Sequence, residues 1–171
     1  MKLLLILLLS LFTSQIFAAS TTASIGGTLK VYQPVTISSV VNMNFPTQYA
    51  QQLPADLYSE GPAGVSGATP GNYGSFNITG SAGGWIEVTI SQTMPMAHSG
   101  AQPNITSALF YSLTGAAPWT STLTAFLTAF PGSGLGQTSM TVTLRGKLST
   151  GTNIFAGQYN GTINVSVNSY M

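Results

Sequence analysis

Residues Gly157–Met171 read G-Q-Y-N-G-T-I-N-V-S-V-N-S-Y-M, and the period of this stretch decides the fold class. After the turn-prone Asn160-Gly161 pair, Ile163, Val165 and Val167 alternate with Thr162, Asn164, Ser166 and Asn168. A period of two places the aliphatic side chains on one face of a strand and the polar ones on the other. The sequence then reaches Tyr170-Met171, which leaves no further residues to lie against this strand's free edge. The expectation is that an earlier segment covers that edge, or another molecule does.

The opposite end of the chain reads as a secretory signal peptide over residues 1–18. Lys2 gives the positive start, Leu3–Leu9 with Leu11 and Phe12 the apolar run, and Ile16-Phe17-Ala18 a cleavage site closing on a small residue. The run is too short to span a membrane, and no later stretch is long and apolar enough to do so. Removing it leaves 153 of 171 residues, enough for one domain with a core of its own. Lys30, Arg145 and Lys147 then balance Asp56, Glu60 and Glu87. A neutral chain with 4% charged residues lacks the basic stripe that would hold nucleic acid or anionic lipid. With no cysteine, disulfides cannot hold the fold together. Stability must come from burial, from backbone hydrogen bonds or from a partner.

Glycine, proline and β-branched residues point to short strands joined by turns, and the predicted class is all-β. Ala23, Ile25, Gly27, Leu29 and Val31 share one face of a strand, with Ser24, Gly26, Thr28 and Lys30 on the other. Pro34 interrupts; Val35, Ile37 and then Val40-Val41 restart the ladder, and Asn42–Phe45 closes it. Residues 48–74 show no sustained period and read as a long loop with one short turn near Ala55–Tyr58. Ser75–Thr79 leads through Gly80–Gly84 into Trp85–Ile90, where Ile86, Val88 and Ile90 face inward and Glu87 and Thr89 outward. Met94–Asn104 reads as irregular, Ala108–Leu113 as a strand, Trp119–Phe130 as an ambiguous apolar segment and Pro131–Gly136 as a loop. Met140, Val142 and Leu144 alternate with Thr141, Thr143 and Arg145 before the Ser149–Asn153 turn. About seven strands in this arrangement predict a β-sandwich over residues 33–171, preceded by an arm at 19–32.

Three places match a family pattern: Asn44-Phe45, F-N-I-T-G at Phe76–Gly80, and the ending R-G-K-L-S-T…G-Q-Y-N-G-T-I-N-V-S-V-N-S-Y. Together they resemble a family of secreted bacterial immunoglobulin-like β-sandwich domains, similar to the spore-coat-U-like pilins of the archaic chaperone–usher class. The resemblance implies a pilin-like, immunoglobulin-like sandwich lacking one strand. A periplasmic chaperone would lend that strand, an outer-membrane usher would assemble the subunits, and the arm of the next copy or of a sister pilin would replace the chaperone. It also implies a place at the cell surface, in a fimbria, and no cofactor. Carried over, Ala23, Ile25, Gly27, Leu29 and Val31 are the donor positions, and Ile163, Val165, Val167 and the penultimate Tyr170 mark the acceptor edge. Tyr170 itself falls in the polar phase with Asn168 and Ser166. Ladder bonds would give affinity and alternate side chains would enter pockets, at about 1–2 kcal/mol for each apolar position. The other reading is that residues 20–31 pair within their own sheet, leaving a self-contained secreted sandwich that binds glycan or a partner protein through its loops.

For catalysis the inventory is thin. Asp56 and Glu60 stand four apart in the long loop, Glu87 lies outward on a strand, and His98 has no nucleophile-elbow motif beside it. The chain is expected not to be an enzyme. Met94, Met96 and His98 would project to one side of an extended segment, a soft donor set suited to copper(I), although methionines beside proline also serve as core filler. Trp85, Trp119, Tyr111 and Tyr73 would stack on sugar rings if exposed, or form core if not.

Overall fold

The computed structural model describes residues 33–50, 53–121, 125–134, 136–149 and 154–170. The predicted signal peptide and arm, with the donor positions Ala23, Ile25, Gly27, Leu29 and Val31, lie outside the described residues. Among these the chain is all-β, with eleven strands in antiparallel sheets and no helix.

Strict alternation builds the inner faces. In β3 (Gly74–Ser81) Phe76 and Ile78 are buried; in β4 (Trp85–Ile90) the buried residues are Ile86, Val88 and Ile90, the three that the sequence predicts to face inward. The long β9 (Gln137–Ser149) carries Val142, Leu144, Gly146 and Leu148 inward, with Thr141, Arg145 and Lys147 on the opposite face. It is the hub of the larger sheet. β3 pairs with its first part and β2 (Asp56–Tyr58) with its end, while β6 (Ile105–Ser112) runs along its other side. Beyond β6 come β5 (Thr93–His98) and the short β10 (Tyr159–Gly161); β7 (Thr120–Ser121) pairs with β6, and β1 (Thr36–Val41) pairs with β3 at the opposite margin. The smaller sheet has three strands in the order β11 (Val165–Tyr170), β4, β8 (Phe126–Ala129).

Two sheets of such unequal width cannot cover each other fully. The smaller sheet buries one core cluster, in which Ile78, Val142 and Phe76 meet Ile86, Val88, Ile90 and Phe126. Tyr111 stacks flat on Phe126 across the layers, with ring centroids 4.2 Å apart. A second cluster, Leu57, Met94, Met96, Ile105, Leu109 and Leu148, lies on the uncovered half of the larger sheet. Side chains from flanking segments, among them Met43, Phe45, Leu53 and Ile154, roof it in part.

Three predicted elements are corrected. Met94–Asn104 is irregular only in its second half: Thr93–His98 forms β5, and residues 99–104 have no regular structure. Pro95 had masked that strand, and it is tolerated where β10 stops at Gly161, opposite Met96 and one residue short of the proline. Ala55–Tyr58 is not a turn but contains β2, paired with β9. The closing strand is two strands, not one. Asn160-Gly161 lies inside β10 of the larger sheet, the chain crosses between sheets at Thr162–Asn164, and β11 joins the smaller sheet. Sandwich corners are commonly made by chain that switches sheets in this way. Ile163, at the crossing, packs against both core clusters.

Candidate functional site, an apolar groove between two strand edges

β11 hydrogen-bonds only to β4, and β1 only to β3, so each presents a free backbone edge among the described strands. Between these edges runs a groove of about 1450 Å³. Ile37, Val40, Val41 and Met43 form one wall, and Ile163, Val165, Tyr159 and Phe155 the other. Its floor is core, from Phe76 and Leu144 to Met94, Met96, Ile105 and Leu148. The lining sets apolar side chains, with polar ones such as Asn42, Gln48 and Asn160 among them, beside strand edges that have no strand partner among the described residues.

The wall on the β1 side is irregular. All six residues of β1 are exposed, including Val40 at 70%. The β1–β3 register shifts between Ser38 and Val41, and Ser39 holds φ at 52°. A bulge of this kind turns a strand edge away from flat pairing. The other wall is firmer. β11 runs in unbroken register with β4 from Val165 opposite Ile90 to Tyr170 opposite Trp85.

The structure separates the four predicted acceptor residues. Ile163 and Val165 line the groove. Val167 faces the same way and packs against the first core cluster, beyond the groove lining. Tyr170 stands on the outward face, 52% exposed, and its hydroxyl donates to Glu87 Oε2 at 3.1 Å. That matches its polar phase in the sequence.

Met94, Met96 and His98 share the inner side of β5. The two methionines are buried core and part of the groove floor. Both His98 ring nitrogens are engaged: Gly100 N–H donates to Nδ1 at 2.8 Å, and Nε2 donates to Ala156 O at 3.1 Å. The imidazole also meets the Tyr159 ring edge-on, with centroids 4.8 Å apart. It pins the 154–158 segment against β5, and Gly157, at φ 149°, leaves the room that a Cβ would take from the ring.

The aromatics do not converge. Tyr111 is inter-sheet packing, and Trp85 is exposed on the outer face of the smaller sheet. Trp119 and Tyr73 pair on the far side of the larger sheet, with centroids 5.0 Å apart. There sequence reasoning missed a cluster: Arg145 reaches Glu60 at 2.5 Å and lies over the Tyr58 ring at 3.8 Å, and Lys147 reaches Asp56 at 2.9 Å. The two acids of the long loop thus neutralise the two cations of β9, and the strand pairing of Asp56–Tyr58 was the signal that would have found them.

Residues 55–169 match the family model described as Domain of unknown function (DUF4402), and the chain belongs to that family. No curated protein matches it. The matched span begins after β1 and takes in β2 through most of β11, including the wall formed by Ile163 and Val165.

Proposed function

We propose that this member of the DUF4402 family is an exported, non-enzymatic structural subunit of a bacterial surface fibre, assembled by strand donation. One observation carries the reading: an apolar groove whose floor is the protein's own core, bounded by the free edges of β1 and β11. An extended segment laid there would extend the ladder of β11 and cover Met94, Met96 and Leu148 together. The occupant in this reading is the arm at 19–32 of a second copy or sister subunit, preceded during export by a periplasmic chaperone's strand and delivered by an outer-membrane usher. The sandwich belongs in this reading to the immunoglobulin-like pilins.

The site where the arm leaves the sandwich supports donation between copies. Gln33 N–H donates to Ser81 Oγ at 2.7 Å, next to the turn that leads into Trp85, and Trp85 pairs with Tyr170. Gln33 is therefore held at the Tyr170 end of β11, away from Ile163, and this is where the arm joins the described chain. Turning back into its own groove would force it to run parallel to β11, the weaker pairing.

The test is the chain lacking residues 19–32, with and without a synthetic Thr21–Val31 peptide. The expected result is a truncated chain of low melting temperature that the peptide restores, and an Ile25→Asp, Leu29→Asp full chain that forms no fibres. A truncated chain as stable as the full monomer, indifferent to peptide, would sink the proposal.

A further inference from the structure

We infer that the outward face of the smaller sheet is a binding platform for a neutral saccharide. Its residues follow from register. Tyr170 and Ala129 flank Trp85 in one row, Asn168 and Leu127 flank Glu87 in the next, and Ser166 stands opposite Thr89 in a third. Their neighbours Val165, Val167, Ile86, Val88 and Ile90 point the other way, into the core. Rows on one face lie about 6.8 Å apart along the strands and strands about 4.8 Å apart across them, so the face matches a sugar ring and its neighbour in size.

Trp85 is 56% exposed, Leu127 62% and Tyr170 52%, a large apolar area for adjacent rows of one sheet face. Within it lies a carboxylate. Both ion pairs of the described residues use Asp56 and Glu60, in and just after β2, so among the described residues Glu87 has the Tyr170 hydroxyl as its partner and no cation. A purely apolar surface, of a second protein or of lipid, pressed on this face would strip water from that carboxylate without pairing it, at a cost that apolar contact does not recover. A saccharide avoids that cost. Its C–H face lies on the indole while its hydroxyls donate to Glu87 and meet Asn168, Ser166 and Thr89 at the rim. The negative charge rejects acidic sugars. The Tyr170–Glu87 hydrogen bond holds ring and carboxylate in place before any ligand arrives, which lowers the ordering cost of binding.

None of this depends on what fills the groove, so loss of fibres and loss of saccharide binding are separate outcomes. The experiment is calorimetric titration of the full chain with cellotetraose, chitotetraose and, as the acid-bearing comparison, sialyllactose. A saturable isotherm is expected for at least one neutral oligosaccharide and none for sialyllactose. Trp85→Ala should weaken binding about tenfold, Glu87→Gln by a comparable factor, and Tyr49→Ala, an exposed aromatic at the groove, not at all. The inference is overturned if neither neutral oligosaccharide saturates, if sialyllactose binds as well, or if Trp85→Ala leaves the isotherm unchanged. It is also overturned if Trp85→Ala dissociates an oligomer without altering saccharide heat, because the face would then serve a protein partner.

Discussion

Gly146 sits in β9 where a Cβ would stand 2.5 Å from Phe45 Cζ and 2.9 Å from Met43 Cε. Those two side chains roof the second core cluster, so the missing methyl is what lets the 42–45 segment close over it. Gly146→Val should cost about 1–3 kcal/mol by overpacking, read as a lower urea midpoint at unchanged slope. Two tyrosines contribute to the alkaline side of the stability profile. Tyr170 titrates above the ordinary 10.0 because its hydroxyl is bonded to Glu87 and the carboxylate repels a phenolate; Tyr111 does so because it is partly buried. A raised value means that the folded state favours the neutral phenol. Their contribution is therefore complete below pH 10.0 and is lost as pH climbs through the raised folded values. Glu87→Gln should bring the Tyr170 titration back toward 10.0, followed by ultraviolet phenolate absorbance.

At the level of elements, β9 shows how pairing converts a few charges into fixed structure. Arg145 combines the Glu60 ion pair with stacking over Tyr58, a planar fork that lysine cannot reproduce. Arg145→Lys should lower stability by about 1 kcal/mol, measured by thermal denaturation. In β1, Ser39→Gly should raise stability by up to about 1 kcal/mol, since glycine takes the left-handed backbone without strain. The strands that the sequence made legible are those with an unbroken two-residue period and one dry face. Trp85–Ile90 was readable to the residue because Ile86, Val88 and Ile90 all meet core. Thr93–His98 was hidden by Pro95, and β2 by its three-residue length within a proline-rich stretch. The sheet switch at Thr162–Asn164 was illegible for a different reason. Ile163, at the crossing, keeps the alternation of Val165 in β11, although β10 and β11 pair with different neighbours, and local period carries no information about partners. Of the first groove wall, Ile163 and Val165 were therefore readable and Tyr159 and Phe155 were not; the second wall, on β1, emerged only once topology placed it.

For the whole molecule, strand donation between copies predicts a melting temperature that rises with protein concentration, whereas an arm held in its own sheet gives one value across a dilution series. Differential scanning calorimetry on the full chain separates the two. The feature with the widest reach is the unbroken β11–β4 register, six rungs from Val165–Ile90 to Tyr170–Trp85. A neighbour attached along β11 and drawn in the direction of that strand would load all six rungs at once, in shear. A neighbour drawn sideways would open them one after another, like a zip. Because Val165, Val167 and Ile163 also anchor β11 to the core, a lengthwise pull spreads into the sandwich before any single rung carries the strain. The orientation of attachment, more than the number of contacts, would then decide how much tension such a joint withstands.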